Sequence, residues 1–360
     1  MHDLVALHST DPASVFVSTM ARTVEPGAAA LERALYDERS LLRMLGMRRT
    51  MFVVGIDIAP TIHAACTKSI AARERLRLVR FVEQSGVADD GAAWLRQAEA
   101  DTLEALTLRG EATGAELSAA VPALREQFSY REDRKWGGVQ NFSSRVLFLM
   151  AADGLIVRGR PRGSWISSQY RWALLPGWLP QGLPDLEVGA AQAELARRWL
   201  RTFAPATLDD LRWWTGWTAA EARRAVAQLS VTEVDLDGRP GMVLADDVEP
   251  VASPEPWAAL LPALDPTVMG WTDRGWYLGQ HRAALFDRSG NAGPTVWWDG
   301  RVVGGWAQRK DGEIAIRLLE DLGTEAKAAV GAMAARLRDA IGPIRITPRF
   351  GTPLQLELLA

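Results

Sequence analysis

The chain has 360 residues, of which 48% are hydrophobic and 24% are charged, so it carries enough apolar material for two or three globular domains. The formal net charge is −3, which excludes non-specific nucleic-acid binding through an overall basic surface but leaves room for a local basic patch. The one cysteine, Cys66, excludes an intramolecular disulfide and a thiolate metal cluster, and we expect its side chain to be buried.

Neither a secretory leader nor a membrane span is predicted. The start Met1-His2-Asp3-Leu4 lacks the basic region of a signal peptide, and no apolar stretch approaches the roughly 20 residues that a transmembrane helix needs. No two of the four histidines stand four positions apart, which argues against a helical metal site. We therefore expect a cytoplasmic protein with no metal and no cofactor.

Residues 1–110 are predicted to form a mostly helical domain. Asp11-Pro12 supplies an N-cap and a proline at the first helical position, which predicts a helix that continues through Met20. The other predicted elements of this region are helices at 26–35, 40–45, 59–82 and 91–108 and a strand at 48–54.

Residues 111–184 follow the order helix, helix, strand pair. Thr113 and Glu116 fit a capping box at the start of the first helix, and a second helix is predicted at 141–152. Strands predicted at 155–158 and 170–173 enclose a turn that is rich in arginine. This order is typical of a winged helix, with the arginine-rich hairpin as its wing.

Residues 185–255 repeat that order after a linker at Leu183-Pro184. Two further capping-box patterns precede a hairpin whose tight turn is Asp237-Gly238. We interpret the recurrence as a structural repeat, so that 111–184 is a second winged helix and 185–255 is a third.

Residues 256–360 change to strands and glycine-rich turns. A hairpin is predicted around Asp299-Gly300, followed by a strand at 313–318 and an amphipathic helix at 324–341. The region reads as a small, mixed, partly closed barrel. The predicted fold class is therefore α+β, with tandem winged-helix units followed by a small β-barrel-like domain.

Basic residues cluster in one part of the chain. Residues 121–172 contain nine Lys or Arg and four Asp or Glu, a net charge of +5 within a chain whose total is −3. A hairpin loaded with arginine suits contact with DNA phosphates or the minor groove, although charge along a strand edge also protects it from aggregation. We predict that double-stranded DNA is contacted by these basic residues: Arg48, Arg49, Arg134, Lys135, Arg158, Arg160 and Arg162.

The 15 tryptophans admit two interpretations, base stacking or core packing. Core packing is preferred for Trp213, Trp214 and Trp217, which lie in a unit of short helices. Trp297 and Trp298 are neighbours on a predicted strand, so one should face inward and the other outward. Trp298 and Arg301 are therefore added to the predicted DNA contacts.

Several long motifs carry a resemblance to a known family. They are 7–12, 31–51, Leu-Pro-Ala-Leu-Asp-Pro at 261–266, and 285–294 continuing into Trp-Trp-Asp-Gly-Arg at 297–301. Together with the repeated helix and hairpin pattern, they resemble the winged-helix DNA glycosylases of the AlkZ and YcaQ type over nearly the whole chain. The resemblance implies tandem winged helices and a β-barrel around a DNA channel, a monomer, and a nucleoid-associated location in the cytoplasm.

The resemblance also implies a catalytic position near the amino end. The family signature is Gln-x-Gln or Gln-x-Asp just before Asp-Pro, and the matching positions here are His8 and Thr10, which depart from it. Cleavage of an alkylpurine requires a site that stabilises an oxocarbenium-like sugar and positions a water. Neutral His8 can accept a proton, Thr10 can orient the water, and Asp11 can supply a negative charge besides capping the helix.

Two hypotheses follow. In the first, the chain is a monofunctional DNA glycosylase for N7-alkylated or crosslinked purines, and the turn at His8–Asp11 meets an extruded nucleotide in an open, basic-lined cleft. In the second, His8-Ser9-Thr10 is only a polar junction between elements, and the chain is a non-catalytic winged-helix DNA binder, either a regulator or a lesion binder.

Overall fold

The computed structural model describes residues 4–130 and 138–360, and the predicted DNA contacts Arg134 and Lys135 lie outside that range. The chain divides into two compact units. One, the discontinuous unit, combines residues 1–34 with 192–360, and the other, the central unit, comprises residues 35–191. The finer division into four domains stays a prediction.

Helices are distributed along the whole chain. In order they are α1 Pro12–Met20, α2 Ala28–Glu32, α3 Ala59–Ile62, α4 Lys68–Gln84, α5 Gly91–Arg109, α6 Gly114–Ala120, α7 Ser143–Ala152, α8 Val188–Phe203, α9 Leu208–Thr215, α10 Ala219–Val226, α11 Gly275–Leu278, α12 Arg282–Leu285, α13 Thr324–Ile341 and α14 Pro353–Leu359.

Strands lie between them and are short. In order they are β1 Leu7–His8, β2 Leu41–Leu45, β3 Met51–Gly55, β4 Glu111–Thr113, β5 Gln127–Tyr130, β6 Gly138–Asn141, β7 Ile156–Pro161, β8 Tyr170–Leu174, β9 Val231–Asp235, β10 Pro240–Leu244, β11 Ala258–Leu261, β12 Thr295–Trp298, β13 Arg301–Gln308 and β14 Ile314–Leu318. The fold therefore mixes helix and sheet, as the sequence predicts.

One predicted helix is a strand. Residues 40–45 were expected to be helical, but β2 pairs antiparallel with β3, so that Met44 lies opposite Phe52. Leucine, arginine and methionine are good helix formers, but intrinsic propensity is a weak determinant of structure, and the backbone hydrogen bonds and packing of the hairpin outweigh it. The strand predicted at 48–54 is accordingly shorter, because residues 47–49 form the turn of the hairpin.

The core of the central unit lies where α4, α5, α6 and α7 pack together. Leu95 and Leu106 of α5, Leu117 of α6 and Val146 of α7 are fully buried within it. A three-stranded sheet with the order β4-β8-β7 adjoins these helices. Cys66 is buried in this unit, as predicted.

Local capping signals are confirmed. Thr113 accepts a hydrogen bond from the Glu116 backbone while the Glu116 carboxylate accepts one from the Thr113 backbone, which forms the predicted capping box of α6. The same reciprocal arrangement starts α9 at Thr207 and α10 at Thr218. Each box satisfies backbone donors that the first turn of a helix otherwise leaves without partners.

The discontinuous unit contains two hairpins with the predicted tight turns. Asp237-Gly238 joins β9 to β10 and Asp299-Gly300 joins β12 to β13, and the first two of these residues have φ of 50° and 83°. Positive φ at both central positions matches the twist of an antiparallel ribbon. The second hairpin belongs to an antiparallel sheet with the order β11-β12-β13-β14. In the described strands this sheet is open, so the barrel-like arrangement stays a prediction.

Within residues 4–130 and 138–360, no helix is both long enough and apolar enough to cross a bilayer.

Candidate functional site

The turn at the amino end precedes α1 and is largely enclosed. The exposed fraction of the residue surface is 8% for His8, 8% for Asp11 and 3% for Ser9, whereas Thr10 is half-buried. The first hypothesis expected this turn to be open to an extruded nucleotide. Thr10 is therefore the most solvent-exposed residue of this enclosed turn, although its hydroxyl oxygen is covered.

Asp11 caps α1, as its position before Pro12 predicts. Its carboxylate accepts a hydrogen bond from the backbone of Ala13 at 3.0 Å. Burial raises the pKa of Asp11 above its usual value, and this effect is opposed by the Ala13 hydrogen bond and by the positive charge of Arg349. Burial thus disfavours the ionised form of this carboxylate, and in such poorly solvating surroundings its charge, when present, acts more strongly on a neighbouring cation.

The hydroxyl of Thr10 is buried and has no hydrogen-bond partner among the described residues. A buried hydroxyl without a partner costs about 1–3 kcal/mol, so such groups in native proteins call for an explanation, and a catalytic role or a bound water is among those known. The hydroxyl of Thr10, the residue before Asp11 in the chain, can accept a hydrogen bond from a water or donate one to a sugar oxygen.

A buried carboxylate from the third motif of the resemblance anchors α1. Asp265 is fully buried and accepts hydrogen bonds from the Ser18 hydroxyl at 2.6 Å and from the Arg22 guanidinium at 2.6 and 2.8 Å. Its oxygen also accepts the backbone N–H of Thr267. The motif 261–266 therefore fixes the helix that starts at the candidate catalytic turn.

The motif at 285–294 is likewise structural in the described contacts. The carboxylate of Asp287 accepts backbone hydrogen bonds from Ser289 and Asn291, both at 2.8 Å, and one from the Asn291 side chain. Gly290 supplies a φ of 82° within this turn. Such an aspartate-closed turn needs short polar residues and glycine at fixed positions, which explains why the motif is recognisable.

The arginine-rich hairpin of the central unit joins β7 to β8. Arg158 is half-buried, with its guanidinium 5.6 Å from the Tyr170 ring centre and 5.3 Å from that of Trp172. Arg160 and Arg162 are exposed.

A carboxylate from another part of the central unit contacts this hairpin. Arg160 forms an ion pair with Asp37 at 2.8 Å and lies 5.0 Å from the Tyr36 ring centre. The sequence of the hairpin contains no acid, so a partner 123 positions away could not be read from it.

The hydrogen bonds from Thr113, with smaller contributions from Arg171 and Arg162, hold the pKa of Glu116 below its usual value.

The second basic cluster lies at the tip of the β2–β3 hairpin. Arg48 and Arg49 both have left-handed backbones, with φ of 52° and 60°. This conformation costs roughly 1–2 kcal/mol per non-glycine residue. Arg49 is exposed, pairs with Glu74 at 3.1 Å, and lies 5.0 Å from the Phe148 ring centre.

The predicted contacts of the discontinuous unit lie beside the Asp299-Gly300 turn. Trp297 is buried and Trp298 is half-buried, which confirms the predicted alternation. Arg301 is exposed and pairs with Glu320 at 2.5 Å. The hydrogen bond from His281 at 2.8 Å, together with Arg301, lowers the pKa of Glu320.

Comparison with known proteins identifies the family. The model of the family described as "DNA glycosylase AlkZ-like" matches residues 1–340. The chain belongs to this family. It is 27% identical over 221 residues to an interstrand DNA cross-link repair glycosylase of Streptomyces sahachiroi, an alignment that covers 57% of this chain and 57% of that relative.

A solved structure shares the fold. The Streptomyces sahachiroi DNA glycosylase AlkZ matches with a TM-score of 0.70 at 22% identity, and the match covers 96% of this chain and 91% of the other. The AlkZ-like fold thus extends over nearly the whole chain, as the resemblance implied.

The AlkZ-like chain carries functional candidates that its sequence did not reveal. Asp265 and Arg22 anchor the helix that follows the candidate turn through contacts between residues 243 positions apart. Arg77 and Arg145 line a groove of the central unit together with Arg49 and Arg158. The basic segment 121–172, which includes Arg145 and Arg158, and the arginines of residues 73–80 on α4 signal basic character in the sequence, but not the groove that groups them. Among the described residues, no three His, Cys, Asp or Glu side chains are grouped so that they could hold a metal ion.

Proposed function

We propose that the chain is a DNA glycosylase that hydrolyses the N-glycosidic bond of N7-alkylated or crosslinked purines in double-stranded DNA. The observation that carries the proposal is the buried Thr10 hydroxyl, which has no partner among the described residues and belongs to the residue that precedes the buried Asp11 at the start of α1. Membership of the AlkZ-like glycosylase family and the cross-link repair relative support it.

The chemistry requires one water. Its oxygen forms a bond to C1′ of the sugar while the C1′–N9 bond breaks, and the N7-alkylated base, cationic in the nucleotide, takes the electron pair and leaves neutral. The reaction therefore needs stabilisation of the sugar cation more than protonation of the base. Asp11 supplies the negative charge, Thr10 holds the water, and neutral His8 accepts the proton that the water loses.

The central unit is proposed to hold the duplex as a winged helix. The order α5, β4, α6, α7, β7, β8, with β4 paired to β8, supports this interpretation. In such a module, α7 faces the major groove and the β7–β8 hairpin reaches the phosphates. Arg158, Arg160 and Arg162 on that hairpin are the proposed contacts. Residues 185–255 are proposed to form a further winged helix, and Trp298 and Arg301, which lie in the region after it, are proposed as additional contacts.

One observation favours a second candidate, a non-catalytic DNA binder. His8 is buried, and both His8 and Thr10 depart from the glutamine-based signature of the family. A chain that had lost activity would keep the basic hairpin and would bind DNA with a steep salt dependence but without excision.

The deciding experiment measures the formation of abasic sites. Duplexes that contain N7-methylguanine or a nitrogen-mustard crosslink are incubated with the unaltered protein and with the His8→Ala variant. Base release by the unaltered protein, reduced in the variant, supports the glycosylase. DNA binding with no base release from either substrate supports the non-catalytic binder and eliminates the enzymatic proposal.

A further inference from the structure

A groove of about 580 Å³ lies within the central unit between α4 and α7. Its charged lining residues are Arg49, Arg77, Arg145, Arg158 and Glu74. We propose that this groove binds the phosphodiester backbone of DNA, independently of base sequence, and that Arg77 and Arg145 are phosphate-binding residues. The inference rests on the proposed function as far as DNA is the ligand, and it adds a binding surface to the predicted hairpin contacts.

The charge of the lining selects an anion. Among the described lining residues, four arginines and one glutamate give the groove walls a net charge of +3 in a chain whose total is −3. Glu74 is shared by two of these arginines, with Arg77 at 2.8 Å and Arg49 at 3.1 Å. A surface on which cations outnumber anions so clearly attracts a polyanion and raises its association rate.

Aromatic rings pack against three of the four guanidinium groups. Arg145 lies 5.1 Å from the ring centre of Phe81 and 4.9 Å from that of Phe128. Arg49 is placed over Phe148 in the same way, and Arg158 over Tyr170 and Trp172. A ring covers the face of a guanidinium, so that a phosphate contacts it through the N–H groups at its edge. The rings also restrict the side chains before binding, which reduces the entropy lost on association.

The start of α7 adds a second feature that suits an anion. This helix has 10 residues, and Ser144 in its first turn lines the groove. Backbone N–H groups at a helix start carry a partial positive charge that favours phosphate oxygens. Gln140 and Ser144 are the uncharged polar residues of the lining. Guanidinium groups therefore dominate the possible contacts, which argues for the backbone and against the reading of base edges.

The test is the salt dependence of binding to an undamaged duplex. The variants are Arg77→Gln, Arg145→Gln and their combination, and the matched control is Arg96→Gln, which removes the same charge from an exposed position on α5. Each groove variant should reduce the slope of log K against log salt by about 0.9, because one phosphate contact is lost. The double variant should lose about twice as much, and Arg96→Gln should leave the slope unchanged.

Folding is controlled within the same set. Arg77 is an exposed helix residue whose side chain keeps 67% of its exposure, so Arg77→Gln should fold normally and is decisive by itself. Glu74→Gln removes an acid from the described lining and should lower Kd roughly two- to fivefold, as expected when a like charge is taken away from a phosphate site. A folding defect would not tighten binding.

Slopes for Arg77→Gln and Arg145→Gln equal to that of Arg96→Gln would overturn the proposal. A change in sequence preference without a change in slope would overturn it as well, since that result means base reading. Because the DNA is undamaged, the test does not depend on excision. An unchanged slope in both groove variants of a protein that excises N7-methylguanine marks failure of this site alone. A reduced slope in a protein that excises no base marks failure of the proposed enzyme alone.

Discussion

The candidate catalytic turn and the arginine-lined surfaces of the central unit are built in opposite ways. The turn keeps its polar groups buried: Asp11 retains 8% of its exposure, and the hydroxyl of Thr10 is covered. The central unit presents arginines at its surface, with Arg160 and Arg162 exposed and Arg145 stacked on rings. Under the proposed function this contrast is a division of labour: the turn carries out excision, and the arginine-lined surfaces of the central unit bind the duplex.

The difference also concerns energy. Burying a carboxylate and a hydroxyl is costly, whereas exposed arginines cost little and gain little when they form surface ion pairs. The turn therefore depends on an anchor, which Asp265 provides by holding Ser18 and Arg22 of the α1 segment. The following predictions test this contrast from the largest expected effect to the smallest.

Asp265→Ala should have the largest effect. It leaves Arg22 without its bidentate partner and Ser18 without an acceptor, and breaking a buried pair from one side costs about 3–5 kcal/mol. Denaturant titration of the full chain measures this loss of free energy of unfolding. The matched control is Asp273→Ala, which breaks a surface pair with Arg239 and should cost at most about 1 kcal/mol. Equal losses in the two variants would remove the anchor from the account.

Asp11→Asn should strongly reduce the rate of base excision while it preserves the fold. Asparagine caps a helix as well as aspartate does, so α1 remains intact. Losing the charge next to the sugar cation should lower the single-turnover excision rate by roughly 10²–10³, the range for one preorganised electrostatic group. An unchanged rate would show that Asp11 is only a cap.

The pH dependence of Asp11 has a definite sign. Because burial raises its pKa in the folded state, the protonated form is favoured by folding, and stability falls as pH rises from the ordinary value of 3.8 through the raised value. Excision needs the ionised form, so its rate should fall as pH decreases through that raised value. Asp11→Asn should remove this part of the stability profile.

Thr10→Val should stabilise the folded protein and lower the rate of base excision. Removing a buried hydroxyl that lacks a partner should raise the free energy of unfolding by about 1–3 kcal/mol, and the excision rate should fall because the water loses its acceptor. The control is Thr19→Val on α1, where the hydroxyl donates to the Val15 carbonyl at 2.9 Å and no such gain is expected. A loss of stability in Thr10→Val would mean that the hydroxyl is structurally satisfied.

Asp37→Asn should have the smallest effect. It releases Arg160 from a surface ion pair worth at most about 1 kcal/mol, so stability should barely change and affinity for duplex DNA should rise slightly. Glu38→Gln removes the same charge from the neighbouring exposed position. Fluorescence anisotropy measures the affinity of both variants for duplex DNA. Equal affinities would show that releasing Arg160 has no specific effect.

Features encoded by neighbouring residues could be predicted from the sequence. The capping box at Thr113, the turns at Asp237-Gly238 and Asp299-Gly300 and the alternation at Trp297-Trp298 each depend on a few adjacent side chains. Strand β2 was mistaken for a helix because its pairing with β3, rather than its own composition, decides its conformation.

Features that depend on distant residues were out of reach. The partner of Arg160 lies 123 positions away, and Asp265 reaches Ser18 across 247. The enclosure of His8 and the grouping of Arg77 with Arg145 likewise arise only when remote segments pack together. Residue types and family motifs located the candidate turn, but they carried no information about its burial.

The most direct test of the division of labour measures rate and affinity separately on one substrate. Single-turnover excision of N7-methylguanine from a duplex is followed at saturating protein, and Kd is measured for the same duplex, with Asp11→Asn and Arg162→Gln. The account predicts that Asp11→Asn loses rate with an unchanged Kd and that Arg162→Gln weakens binding with an unchanged rate. A rate lost in Arg162→Gln and retained in Asp11→Asn would contradict it.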